Sequence, residues 1–245
     1  LVYHKHNTLA EAHGRRNNGI GFGGVTRAAR CAICAGMEEP HLTTEAQNKA
    51  PLAFGEFVSL VAAMMALTAL GIDSMLPALP AIGASLGVDA PNHRQYVVTA
   101  FLIGFAFAQL AYGPLSDRYG RRPVLAIALT SYVVTSAVAA LSGSFTLLLV
   151  ARAAMGASAA GARVVSVALG RDCFAGRAMA RVMSLAFIVF RAAPIVAPTL
   201  GQLILYAGSW RLIFWAVAAL ACLVVLWFWL RMPETLGQEG RLSLK

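Results

Sequence analysis

Gly113-Pro114-Leu115-Ser116-Asp117-Arg118-Tyr119-Gly120-Arg121-Arg122-Pro123-Val124-Leu125 carries one carboxylate and three guanidiniums between two uncharged runs, Gln95 to Tyr112 and Pro123 to Leu149. Such charge cannot cheaply enter hydrocarbon, so this stretch belongs in water or headgroups while its flanks are buried. Two glycines permit a sharp bend, and Pro123 suits the first turn of a following helix. Asp117 is near enough in sequence to pair with Arg118, Arg121 or Arg122. On charge alone, this is a solvated basic turn between two membrane helices.

The rest of the chain agrees. Of its 245 residues, 58% are hydrophobic and 13% charged, against about 25% charged in a typical soluble domain. The apolar excess falls into runs long enough to cross a bilayer, which takes about 20 residues per helix. Six spans are predicted: Phe54 to Ile82, Arg94 to Tyr112, Pro123 to Leu141, Phe145 to Leu169, Arg181 to Tyr206 and Trp210 to Met232. The formal charge of +9 is spread over loops and tails with no aromatic-interleaved basic stripe, which argues against nucleic acid. Cations gather in the loops after the second and fourth spans (Arg118, Arg121, Arg122; Arg171, Arg177, Arg181) and after the sixth (Arg231, Arg241, Lys245). By the positive-inside rule both termini are cytoplasmic. Trp210, Trp215, Trp227 and Trp229 are expected to serve as interfacial anchors.

Residues 1–53 are a different material, rich in Gly, Arg, His and Asn, and read as a disordered polar tail; residues 233–245 read as a short cytoplasmic tail. Cys31-Ala32-Ile33-Cys34 with His4, His6, His13 and His41 lacks the second ligand pair that a zinc site needs, so no metal or cofactor is expected. Met37 precedes the first span closely, which suggests a start there. No nucleophile–base set appears, so an enzyme is not expected.

Two charges lie inside predicted spans. Asp73 is about nine residues from the outer end of the first, or roughly 14 Å. Arg152 is about seven residues into the fourth, or roughly 10 Å. Opposite charges at similar depth can pair, and intramembrane ionisable residues are functional by default; a purely structural ion pair is the plainer alternative. Arg191, mid-way along the fifth span, either faces a cavity, where it binds an anion or pairs with Asp73, or is a destabilising oddity. Arg163, nearer the inner end of the fourth span, is placed to snorkel.

The order of residues in the opening stretch resembles the loop signature of the major facilitator superfamily, G-x-L-x-D-R-x-G-R-R-x-x-L, through Gly113, Leu115, Asp117, Arg118, Gly120, Arg121, Arg122 and Leu125. Asp73, Pro77 and Pro80 look like the first span of its drug–proton antiporters. Leu148, Arg152 and Gly156 match the fourth-span signature, with Met155 where Gln is usual. Ala193, Ala197, Pro198 and Gly201 fit a relaxed antiporter motif in the fifth span, with Gln202 in place of its last glycine. Pro194 with Pro198 and Gly201, Arg171-Asp172, Trp210 with Phe214, and Pro233-Glu234-Thr235 are most similar to the Bcr/CflA branch. The resemblance covers Phe54 to Leu236, the first half of a twelve-span carrier.

This resemblance implies an all-α membrane fold: six helices forming one half, a 3+3 inverted repeat. It implies proton-coupled efflux of drugs or small lipophilic compounds across a bacterial inner membrane. Asp73 would carry the proton, Arg152 would tune it, and residues 113–125 would gate the cytoplasmic side. Pro194, Pro198 and Gly201 would bend and pack the fifth span, and Arg191, Met155 and Gln202 would face a cavity. Partners would be a drug-like molecule, protons, the bilayer, and a second copy or a separate C-terminal half. Two alternatives stay open: a non-transporting remnant or assembly partner, and a metabolite or sugar carrier of the same fold.

Overall fold

The computed structural model describes residues 52–88 and 90–232, and every regular element among them is helical. In order these are α1 (Phe54–Asp73), a 3-10 turn (Leu76–Ala78), α2 (Leu79–Ser85), α3 (Pro91–Arg94), α4 (Tyr96–Tyr119), α5 (Arg121–Leu141), α6 (Phe145–Cys173), α7 (Gly176–Ala207) and α8 (Arg211–Arg231). Six stretches among the described residues are long and apolar enough to cross a membrane, with α1 to α2 forming the first, α3 and α4 the second, and α5 to α8 the other four. The two tails and the Cys31/Cys34 pair lie outside the described residues.

Two boundaries differ from expectation. The predicted turn at residues 113–125 is mostly helix: α4 runs on through Gly113 and Pro114 to Tyr119, and α5 begins at Arg121. Gly120 alone makes the corner, at φ 99° and ψ 154°, a region open to glycine and strained for other residues. Charge argues for keeping the segment out of hydrocarbon but says nothing against helix, because Asp and Arg are tolerated in a helix that projects past the headgroups. The first span is, conversely, interrupted. α1 stops at Asp73, Ser74 caps it by donating from both backbone N–H and Oγ to the Leu70 carbonyl, and Pro77 and Pro80 sit at the starts of the 3-10 turn and α2.

The core is built around α6, which packs against α4, α5 and α1, while α1 also packs on α7 and α5 on α8. Bilayer helices gain little from burying apolar surface against one another, so close approach depends on small residues. A methyl group at Gly104 would overlap the Ala153 carbonyl, and one at Gly156 would overlap the Phe101 carbonyl. These two reciprocal contacts seat α4 on α6 almost backbone to backbone. The run of small residues that follows on α6 is buried accordingly at Gly156, Ser158, Ala159, Ala160 and Gly161. Burial is uneven across the spans: 56% of the most apolar window of the first and of the fourth is buried, but only 22% of the fifth and 11% of the second. The second and fifth spans therefore present open faces.

Tryptophans divide likewise. Trp215 and Trp229 are exposed, as interfacial anchors must be. Trp210 is buried and donates to Ser85 Oγ at 2.8 Å, which ties the start of α8 to the end of α2. Trp227 donates to Glu56 at 3.4 Å, beside a bidentate Arg231–Glu56 pair at 2.7 and 2.8 Å that joins the last span to the first. Charge alternation along the chain gave no hint of the Glu56 contact, since its partner lies 175 residues away.

Candidate transport site

The first span breaks where Asp73 ends α1, so the last turn of that helix has carbonyls without intrahelical donors. Leu70 is satisfied by Ser74. Gly71 is satisfied by Arg152, whose Nη1 donates to its carbonyl at 2.8 Å, while Nε donates to the Val97 carbonyl of α4 at 3.2 Å. The Arg152 guanidinium is fully buried. It lies over the Phe101 ring at 4.6 Å and near the Phe214 ring at 5.8 Å, and Nη1 also meets Met155 Sδ at 3.5 Å. Its Nη2 has no hydrogen-bond partner among the described residues. A cation at the C-terminal end of a helix is favoured by the helix dipole, and aromatic faces replace part of its lost hydration.

The predicted Asp73–Arg152 ion pair does not form. The two groups share a level, with Arg152 bonded two residues before Asp73, but their charged atoms are not within 4 Å. The broken helix accounts for this: its free carbonyl takes the guanidinium, and Asp73 is left half-buried. Among the described residues Asp73 has neither an ion pair nor a hydrogen bond. Arg191 does not reach it either; it is exposed on α7. Met155, expected to face a cavity, is fully buried in the core against Arg152 and Gly71, because the thioether fills the space between α6 and α1. Gln202 is half-buried.

On α7 the helix continues through Pro194 and Pro198. Neither has an N–H, so the carbonyls one turn earlier, at Phe190 and Pro194, lose their intrahelical donors. Gly201 is buried, and a methyl group there would overlap the Ser74 carbonyl. The glycine thus seats α7 against the interruption of α1, bringing the antiporter-like stretch onto the Asp73 turn.

A second cluster lies at the α4–α5 corner. Arg121 pairs with Asp117 one turn before it, donates to Asp172 at 3.0 Å from the end of α6, and donates to Ser116 Oγ at 2.5 Å. Asp117 thus chooses Arg121 among its three neighbouring arginines, as i,i+4 placement favours when the helices are nearly continuous. Asp172 is the member that sequence order could not supply. Arg122 lies over the Trp229 ring at 5.5 Å and donates to the Trp229 carbonyl at 3.4 Å, and Arg118 lies over the Tyr119 ring at 5.3 Å. A cleft of about 350 Å³ opens beside this cluster, lined by Gln109, Gly113, Asp117, Arg121, Arg163 and Asp172 among others.

These features coincide with a family pattern that matches the chain over residues 61–243, described as Major Facilitator Superfamily. The chain belongs to the major facilitator superfamily. Among its relatives are the MFS-type transporter YdgK of Bacillus subtilis, 37% identical over 75% of this chain and 46% of that protein, and a bicyclomycin resistance protein homolog of Haemophilus influenzae, 33% identical over 77% and 47%. The multidrug resistance protein MdtL of Escherichia coli is 34% identical over 71% and 44%. The chain spans about half the length of the curated relatives it matches. The solved structure of the human organic anion transporter MFSD10 superposes with a TM-score of 0.61 at 25% identity, over 78% of this chain and 50% of that one. This superfamily member is therefore an all-helical, multi-pass membrane protein of a transporter family whose curated relatives include drug-resistance proteins.

Proposed function

We propose that this chain forms the first six spans of a proton-coupled carrier that exports drugs or small lipophilic compounds across a bacterial inner membrane, with both termini in the cytoplasm. The observation that carries this is Asp73: a half-buried carboxylate at the interruption of a membrane span, with no ion pair or hydrogen bond among the described residues. A carboxylate held in place by a fixed partner would resist protonation, whereas one without such a partner can take and release a proton as its surroundings change. Arg152 serves this as a positioning residue. It holds the last turn of α1 through Gly71, so the level of Asp73 is set by a buried cation that does not neutralise it.

Arg121, with Asp117 and Asp172, latches α4, α5 and α6 at the cytoplasmic end, and breaking this latch is the natural way for the halves of such a carrier to open there. Pro194, Pro198 and Gly201 let α7 move against the α1 turn. Proton-driven export of a fluorescent drug from vesicles holding the protein tests the assignment. Asp73→Asn should abolish export while the protein stays folded in the membrane; export that survives this change would refute the role. Failure of the wild-type chain to export unless a complementary six-span half is supplied would instead make it an assembly partner.

A further inference from the structure

One charge in the fifth span pairs with neither Asp73 nor the acids of the α4–α5 corner. Arg191 stands fifteen residues from the start of α7 and sixteen from its end, so about 22 Å from either at 1.5 Å per residue. That places it near the middle of a hydrocarbon core about 30 Å thick. It is nonetheless exposed, and among the described residues it makes no hydrogen bond, ion pair or ring contact. A guanidinium at that depth faces water, a polar ligand or the interior of the full carrier rather than lipid.

Its own helix agrees. Ser184, Phe187, Arg191, Pro194, Pro198 and Gln202 recur every three or four residues, so they share one face. Leu185, Val189, Val196 and Leu203, all exposed, form a separate flank of lipid character. A second cation touches the residue before Arg191. Arg163 of α6 places its guanidinium 4.5 Å from the centre of the Phe190 ring, and Phe190 directly precedes Arg191. Arg163 has no carboxylate within 4 Å among the described residues, and the two acids of its cleft, Asp117 and Asp172, are both engaged by Arg121.

We propose that Arg191, with Arg163 behind the Phe190 ring, forms a mid-membrane anion site whose ligand is an amphiphilic organic anion, a carboxylate or phosphate ester on an apolar body. The proposal rests on the transporter reading and narrows its substrate class. A guanidinium fork matches the oxygens of either group bidentately. Phe187 and Pro194, on the same face, offer apolar contact to the rest of the molecule. The same chemistry could be met by the headgroup of an anionic lipid, and the test separates the two.

The intact protein is placed in nanodiscs of phosphatidylcholine, and binding of carboxyfluorescein and of a cationic rhodamine is followed by fluorescence anisotropy. Wild type should bind carboxyfluorescein. Arg191→Gln should weaken that by on the order of tenfold or more, as expected for loss of a charge-assisted bidentate contact. Arg191→Lys should fall between, Arg163→Gln should lose less, and rhodamine binding should not change with Arg191→Gln. Because Arg191 has no side-chain contacts among the described residues, Arg191→Gln should keep wild-type helicity by circular dichroism. Equal carboxyfluorescein affinity in wild type and Arg191→Gln, or none in wild type, overturns the site. If phosphatidylglycerol abolishes carboxyfluorescein binding and is retained by wild type but not by Arg191→Gln in native mass spectrometry, the ligand is lipid and the cargo assignment is overturned. Loss of proton-driven export with anion binding intact breaks the efflux reading alone.

Discussion

Arg121 and Arg152 are both held by several partners, yet they are solvated in opposite ways. Arg121 sits at the α4–α5 corner with two carboxylates and a hydroxyl. Arg152 is wholly buried, and its partners are two backbone carbonyls, a thioether and two aromatic rings. Near water, acids can be gathered around a cation at little desolvation penalty, and the result is a network weakened by salt. In the bundle interior a second charge would need its own desolvation. The fold instead satisfies the guanidinium with carbonyls freed where a helix ends and with the negative faces of rings. One arginine joins three helices through ion pairs open to competing charge; the other is part of the frame.

The contrast between them can be broken by experiment. Removing Arg152 should have the largest effect on stability. Arg152→Ala leaves the Gly71 and Val97 carbonyls without their extra donor and should destabilise the bundle by about 3 kcal/mol, read as a drop in melting temperature in detergent; Arg152→Lys, lacking the fork, should not restore it. Gly156→Leu comes next. It drives a side chain into the Phe101 backbone and should cost about 2 kcal/mol or more through separation of α4 from α6; a cysteine cross-link between the two helices that still forms at wild-type rate would count against this packing.

Smaller effects belong to the corner. Arg121→Ala and Asp172→Asn should each lower stability by about 1 kcal/mol, discounted for their partial exposure, and the loss should shrink as ionic strength rises. The Arg152 effect should not depend on salt, and if both respond alike the two arginines are not solvated differently. Asp73→Asn should change the melting temperature least, since the side chain has no partner to lose, while its effect on export should be complete. A large loss of stability there would point to a structural role for the acid.

Much of this was legible along the chain because a bilayer imposes a strong filter. Apolar runs of about 20 residues with few charges match the thickness of hydrocarbon and fit poorly in a water-soluble domain, and the order Gly113, Asp117, Arg118, Gly120, Arg121, Arg122 pointed to the family whose pattern the chain matches. The small residues from Gly156 to Gly161 are of the kind that lets two helices approach closely. What sequence order missed was mostly partner choice. Asp117 had three candidate arginines, and only the continuation of α4 through Pro114 selects Arg121. Met155 looked like a gap in a polar signature, but its sulfur lies on the guanidinium it follows by one turn.

The residues read in order were thus enough to establish the membrane class, the six apolar spans, and which spans carry Asp73, Arg152 and Arg191, because each depends on local composition and on the thickness of hydrocarbon. Packing in three dimensions was needed to decide which groups meet. The Arg152 guanidinium finds the Gly71 carbonyl rather than Asp73 because α1 breaks at Ser74 and leaves that carbonyl open. Pro77 already disfavours helix beyond Asp73; what the tertiary structure adds is the neighbour at that break, the Gly201 backbone of α7 packed on Ser74 across 127 residues of chain.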